Sequence, residues 1–475
     1  MGTEPIEQDR KSELSQFFEP QGIAVFGSFK EGIFGGYMVV KSLLEAGYKG
    51  RIYPVNPAYK QVLGHRVYPS VREVMEEIDL GIIMINAQAV SQVMRECGEK
   101  GLKALIVVSD GFAERDRQGA RLQEEIVKIS RKWGMRVIGP NTAGIVNTAN
   151  GFNPCPYEAG YYRLREGCIA ISSQTGMTNP QAVPYTKLNI GISKICDFGN
   201  KCDLDECDLL EYLEKDEKTE VVSMYLESIR DGRKFLEISK KVTRRKPVLI
   251  FKSGRTDEGA RASASHTGSM AVDDQIFDAV CEQAGVLRLE EFNDLFEMPK
   301  IFASQPLPEG NRLGIVSYTG GVGVLAADQG GRYGFALSRL SPETSKMLDG
   351  IFPGLGKIPV DIGPPAPAIK DFFSLYPTIL EAVLSDKNVD SLFNVLWADT
   401  TGKSFKTYIK GYRELRGRYR KPLATWIYGP NIPLVEELTQ ALEGMGFPVF
   451  SGPEKAIKAL GLALKYSQIK KKKVS

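Results

Sequence analysis

Gly22-Ile23-Ala24-Val25-Phe26-Gly27-Ser28-Phe29-Lys30-Glu31-Gly32-Ile33-Phe34-Gly35-Gly36-Tyr37-Met38-Val39-Val40-Lys41-Ser42-Leu43-Leu44 is the stretch that decides the fold class. It opens on a short apolar run, crosses a loop with several glycines and ends on apolar residues at helical spacing. That order predicts a strand, a glycine loop and a helix. Further apolar runs follow at Ile52-Tyr53-Pro54-Val55, Leu80-Gly81-Ile82-Ile83-Met84-Ile85 and Ala104-Leu105-Ile106-Val107-Val108-Ser109, with a helical stretch from Val90 to Cys97. Continuous rather than alternating runs fit a parallel sheet covered on both faces, so the chain is expected to be α/β. The first series closes near Val137-Ile138-Gly139-Pro140-Asn141.

A second series follows the turn-rich Asn153-Pro154-Cys155-Pro156, with strands expected at Cys168-Ile169-Ala170-Ile171-Ser172, Val221 to Leu226 and Pro247 to Phe251, and a helix from Phe277 to Ala284. A third begins at Leu313-Gly314-Ile315-Val316-Ser317, passes a second glycine loop from Tyr318 to Gly323 into a helix from Val324 to Asp328, and continues with strands at Ser391 to Leu396 and Leu423 to Ile427. With 475 residues, the chain is long enough for three domains of ordinary size. Their expected bounds are 1–150, 151–302 and 303–475.

Composition narrows the function classes. Lys and Arg total 61 against 58 Asp and Glu, and much of the excess sits in Lys470-Lys471-Lys472-Lys473, so no nucleic-acid partner is expected. The seven cysteines form no CxxC pair, so reduced thiols are the expectation; Cys196, Cys202 and Cys207 have loose spacing, and no metal site is expected. The opening residues carry no basic apolar leader and no apolar run approaches membrane-spanning length, which points to the cytosol and away from a membrane partner.

Three segments carry the chemistry. The first glycine loop, Gly27 to Gly36, lies between strand and helix, where backbone amides hold a pyrophosphate or merely make a tight turn. Val55-Asn56-Pro57 ends the second strand without an acidic ribose clamp, so a dinucleotide is not favoured, while Lys30 and Lys41 are placed to meet phosphates. Ser173-Gln174-Thr175-Gly176 offers hydroxyls and amides directly after a strand, suited to inorganic phosphate or to capping a helix. Glu227 falls at another strand end, where a carboxylate orients an imidazole or forms a salt bridge, and Lys252-Ser253-Gly254-Arg255 is expected to border the same pocket. His266, one of two histidines, is framed by Ala264-Ser265 and Thr267-Gly268-Ser269. Small neighbours leave its ring room to carry a transferred phosphoryl group; the plain alternative is a structural histidine on a turn.

Ordered segments across residues 14 to 462 resemble the α subunit, or α-type half, of the NDP-forming acyl-CoA synthetases of the succinyl-CoA synthetase superfamily. They include Tyr53-Pro54-Val55-Asn56-Pro57, Ser109-Asp110-Gly111-Phe112, Gly139-Pro140-Asn141, Ile171 to Gly176, Gly199-Asn200-Lys201, Leu226 to Gly232, Lys252 to Arg255 and, most specifically, Ser265-His266-Thr267-Gly268-Ser269-Met270-Ala271. The resemblance implies an N-terminal Rossmann-like CoA-binding domain and two flavodoxin-like domains, the first carrying the phosphohistidine. It implies that His266 carries the phosphoryl group, that Glu227 orients it and that Ser173, Gln174, Thr175 and Gly176 cradle phosphate. CoA is expected at Gly27, Ser28, Lys30, Lys41, Val55, Asn56 and Pro57, with Ile85 and Ser109 nearby. The activity implied is acid–thiol ligation: carboxylate, CoA and nucleoside triphosphate interconvert with acyl-CoA, nucleoside diphosphate and phosphate through acyl phosphate and phosphohistidine.

No ATP-grasp module is recognisable here, so ATP/ADP or GTP/GDP and Mg²⁺ are expected mainly on a separate ATP-grasp β subunit, in a hetero-oligomer or dimer. A carboxylate or acyl-CoA is the expected small-molecule partner. A non-catalytic CoA-binding regulatory subunit is the alternative. The chain departs from the family pattern at Phe29 to Phe34, at Ile85-Asn86-Ala87-Gln88 and at Met177-Thr178-Asn179-Pro180.

Overall fold

A computed structural model describes residues 14–157, 164–178, 183, 189–267, 273–366, 368–369 and 372–472. The chain divides into two compact units, Met1–Phe292 and Asn293–Ser475.

The first unit opens with β1 (Gly22–Gly27), α1 (Gly36–Glu45), β2 (Arg51–Val55), β3 (Leu80–Met84), α2 (Ala87–Lys100), β4 (Ala104–Val107), α3 (Arg117–Trp133) and β5 (Arg136–Ile138). The strands form one sheet in the order β2-β1-β3-β4-β5, every pairing parallel. Every residue of β1, β3 and β4 is buried, the two-sided coverage that their unbroken apolar runs predict. The chain leaves β1 for one neighbour and later returns to its other side, so the strand order reverses between β1 and β3, where open parallel sheets build ligand sites.

The second sheet comprises β6 (Ile145–Asn147), β7 (Glu166–Ser173), β8 (Ile192–Asp197), β9 (Val221–Leu226), β10 (Val248–Lys252) and β11 (Leu287–Leu289), in the order β11-β10-β9-β7-β8-β6. Its helices include α4 (Glu206–Lys215), α5 (Gly232–Val242), α6 (Asp257–Thr267) and α7 (Asp274–Ala284). Edge strand β6 runs antiparallel to β8. Strand β8 carries no continuous apolar signal because Ser193 and Lys194 interrupt it; both are buried, Lys194 through an ion pair with Asp216 at 2.6 Å.

Asp197, at the end of β8, ties this sheet to the segment leaving the first. Its Oδ2 accepts from the Ala143 amide at 2.6 Å and its Oδ1 from the Gly199 amide at 3.0 Å, while Thr142 Oγ1 donates to its carbonyl at 2.5 Å. Gly199 has φ +55°, and a Cβ there would lie 2.2 Å from the Pro140 carbonyl oxygen, so only glycine fits this crossing.

The second unit contains β12 (Arg312–Ser317), α8 (Gly320–Arg332), β13 (Ala336–Leu337), β14 (Val360–Asp361), α9 (Phe372–Ser385), β15 (Ser391–Trp397), α10 (Lys403–Leu415), β16 (Leu423–Tyr428), β17 (Val449–Phe450) and the long α11 (Pro453–Lys472). Its strands run β13-β12-β15-β16-β17, with β14 paired to β12. Tyr376 and Tyr412 are buried around Asn394, which donates to Tyr376 OH at 3.1 Å and to Tyr412 OH at 2.5 Å and accepts from Thr425 Oγ1 at 2.9 Å. Helix α11 is anchored by Lys455 and Lys458, which reach the buried carboxylate of Asp294 at 2.6 and 2.8 Å. Helix α8 begins at Gly320, four residues before the expected start at Val324. No helix among the described residues is long and apolar enough to cross a membrane.

Two outcomes follow for the Asp197 joint. Burial raises its carboxyl from 3.8 to about 6, the amides of Ala143 and Gly199 and the Thr142 hydroxyl oppose the rise, and the nearby Glu227 charge adds to it. Since the folded value exceeds the unfolded one, the native chain binds the extra proton, and stability declines as pH rises from about 4 through about 6; Asp197→Asn should flatten that decline in a series of thermal melts. Gly199→Ala should cost about 1–3 kcal/mol in urea unfolding, and an unchanged midpoint would contradict the crossing described above.

Candidate active site

The Ser173 loop follows the central strand β7, and Glu227 follows its neighbour β9, so parallel pairing brings both to the same sheet edge. Ser173 Oγ accepts from the Thr175 amide at 2.9 Å and donates to the Thr175 carbonyl, which folds the loop back on itself. Gln174 is buried, and its side chain is a latch: Oε1 accepts from the amides of Glu227 at 2.9 Å and Ser228 at 3.0 Å, and Nε2 donates to Ser228 Oγ at 3.0 Å. The Gln174 amide adds a bond to the Tyr225 carbonyl at 3.1 Å. Glu227 is buried, and Tyr225 OH donates to its Oε1 at 3.1 Å.

A cavity of about 390 Å³ opens beside this edge, lined by Gln174, Thr175 and Gly176 of the loop, Asn200 and Lys201 after β8, and Arg230 after β9, among others. Asn141 and Gln123, from the first sheet's side, close it: Asn200 Nδ2 donates to Gln123 Oε1 at 2.9 Å and to Glu114, while Asn141 Nδ2 approaches Asn200 Oδ1 at 3.4 Å. The lining is polar and includes Arg230, so the space suits a small anion. Asn141, Asn200, Lys201 and Arg230 lie in the family-like motifs, but their types and spacing alone assign them no role. The available signal is position, since each follows the carboxyl end of a strand or the turn beyond it.

Lys252 and Arg255 do not border this cavity. Lys252 is fully buried 3.8 Å from Asp274 on α7, with burial lowering its pKa, and Arg255 reaches the same carboxylate at 3.3 Å. Residue 266 falls in the last turn of α6, so the backbone there is helical rather than an open turn. The His266 side chain and residues 268–272 lie outside the described residues.

At the first sheet, Gly27 and Ser28, Val55 to Pro57, Ile85 and Ser109, expected to meet CoA, lie at the carboxyl ends of β1 to β4. Asn56 Nδ2 donates to the Gly27 carbonyl at 2.8 Å, joining the β1 loop to the end of β2 where Val55 and Pro57 flank it. Ser28 Oγ pairs with Tyr59 OH at 3.1 Å, and Ser109 Oγ accepts from the Ile85 amide at 3.0 Å. Asn86 caps α2, its Oδ1 accepting from the Gln88 amide at 3.1 Å, which accounts for Ile85-Asn86-Ala87-Gln88 as a helix start. Phe29 is buried against Tyr59, and a Cβ on Gly36 would meet its ring at 2.6 Å, so the aromatic residue and the glycine are matched. Helix α1 begins at Gly36 without a side-chain cap, Lys30 is exposed near its start and Lys41 lies one turn further on. This donor set suits a phosphate-bearing ligand.

Known proteins match this architecture. Residues 21–148 match the family described as CoA binding domain, and residues 166–302 match the succinyl-CoA ligase like flavodoxin domain. The α subunit of ADP-forming acetate–CoA ligase II from Pyrococcus furiosus is 37% identical over 451 residues, covering 93% of this chain and 95% of that protein. The acetate–CoA ligase II of Archaeoglobus fulgidus is 36% identical over 96% of this chain but 67% of its own length. An acetyl-coenzyme A synthetase of Ca. Korarchaeum cryptofilum, solved with phosphate and ADP, superposes with a TM-score of 0.88 at 32% identity, covering 98% of this chain and 100% of that one. The chain therefore belongs to the ADP-forming acyl-CoA synthetases, an acid–thiol ligase family, as an α-subunit-like member of the succinyl-CoA synthetase superfamily.

Proposed function

We propose that this chain carries the acyl-transfer half of a carboxylate–CoA ligation in the cytoplasm, with a separate ATP-grasp β subunit supplying the nucleoside triphosphate and Mg²⁺. The observation that carries this reading is the latch from Gln174 to the Glu227 and Ser228 amides, which sets a phosphate-type loop and a buried carboxylate at one strand edge. His266 is assigned as the phosphoryl carrier. Glu227 holds one ring nitrogen so that the other stays nucleophilic, and the loop of Ser173, Gln174, Thr175 and Gly176 is assigned to the phosphoryl oxygens.

In the synthetic direction the phosphoryl group passes from phosphohistidine to a carboxylate oxygen, breaking the P–N bond. The CoA thiolate then attacks the acyl carbon and expels phosphate. Gly27, Ser28, Lys30, Lys41 and the Val55-Asn56-Pro57 turn are assigned to CoA, with Ile85 and Ser109 beside them. The first domain is taken as 1–150 apart from strand β6, which borders the second sheet, the phosphohistidine domain as 151–302 and the last as 303–475.

Incubating the chain with an ATP-grasp partner, Mg²⁺ and γ-labelled ATP should place acid-labile label on His266, and His266→Asn should abolish it. CoA binding without label under any pairing would instead identify a regulatory subunit. Glu227→Gln should slow labelling by roughly 10²-fold or more, measured by rapid quench, while leaving CoA affinity within about twofold.

A further inference from the structure

Lys201 combines burial, charge and backbone contact in a way no other residue of the cavity does. It is 4% exposed and adopts φ +51°. Its Nζ donates to Glu206 Oε2 at 2.9 Å and to the Ser228 carbonyl at 2.8 Å. Glu206 is fully buried, and its Oε1 accepts from the Arg230 amide at 3.2 Å. Arg230 Nη1 returns to the carbonyls of Lys201 and Asp203, both at 3.0 Å. Lys201, Glu206 and Arg230 thus close a hydrogen-bonded ring around the segment that follows β9.

A buried ion pair gains little net stability over apolar residues of the same volume, because desolvation offsets the attraction; what it fixes is the geometry of the groups it bonds. Here the bonded group is a backbone carbonyl inside the candidate active site. The Ser228 amide is held by Gln174 and its carbonyl by Lys201, so the backbone at this residue is clamped on both sides. Glu227 is the preceding residue, and the Ser173 loop hangs on the same clamp through Gln174.

We propose that Lys201 is a positioning residue for the ligase reaction, acting through the Ser228 carbonyl to set the Glu227 carboxylate and the Ser173 loop in register. This inference rests on the assignment of Glu227 and the loop under the proposed function. The test uses the chain with its ATP-grasp partner and follows His266 labelling from γ-labelled ATP by rapid quench, beside kcat, the KM for CoA and thermal melts. Lys201→Met alone strands the Glu206 charge, so the informative variant is Lys201→Met with Glu206→Leu, which removes both charges. It should melt close to wild type and keep the KM for CoA within about twofold, yet label His266 and turn over roughly 10- to 100-fold more slowly, the penalty of a small misplacement.

Wild-type labelling and turnover by the folded double variant would overturn the proposal, as would a rise in the KM for CoA in proportion to the lost rate. Should the double variant not fold, Lys201→Arg, which keeps the charge but not the compact ammonium geometry, carries the same expectation and the same refutation. Absence of label in the wild-type arm itself would sink the phosphohistidine reading and this inference with it, and that arm is read separately.

Discussion

A single carboxamide oxygen organises the candidate site. Gln174 Oε1 takes two consecutive backbone amides, those of Glu227 and Ser228, that would otherwise be buried donors at the end of a parallel strand. Leaving such donors unsatisfied costs about 1–3 kcal/mol each, so the bond is structural in origin. Its consequence is chemical, because it fixes the relative placement of a hydroxyl- and amide-rich loop and a buried acid. The cavity residues Asn200, Lys201 and Arg230 pack around the same edge, Lys201 holding the Ser228 carbonyl whose amide Gln174 holds.

Much of this was legible in the residues. The first parallel sheet follows from apolar runs that have one meaning when both faces are covered, and the strand–glycine loop–helix of Gly22 to Leu44 needs no tertiary information. The loops after β7 and β9 could be placed at strand ends for the same reason. What stayed hidden has physical causes. Strand β8 contains Ser193 and Lys194, polar residues tolerated inside only because partners across the fold satisfy them. The roles of Asn200, Lys201 and Arg230 depend on contacts with residues more than 20 positions away, which no local pattern encodes. The side chain of Gln174 faces its own sheet edge rather than serving only as a donor to an anion, a distinction that only the partner geometry supplies.

The two units share a local device. In the first, Ser173 Oγ bonds both the amide and the carbonyl of Thr175; in the second, Ser317 Oγ accepts from the Thr319 amide at 3.2 Å and donates to its carbonyl at 2.9 Å. Ser173-Gln174-Thr175-Gly176 and Ser317-Tyr318-Thr319-Gly320 therefore make one turn in two settings. The second position separates them: Gln174 latches a neighbouring strand end, whereas Tyr318 is buried and pairs with Tyr408 OH at 2.5 Å. In the first unit the loop is tied to the β9 edge, and in the second to an aromatic interior.

Strand β6 has a practical consequence for dissecting the protein. It precedes residue 150 in the chain but pairs with β8, so severing the polypeptide there would remove the second sheet's antiparallel border. The strip of amides and carbonyls laid bare on β8 is the kind of unguarded margin that recruits other chains. Fragments meant to isolate the second sheet would stay monodisperse only if the cut falls upstream of Ile145.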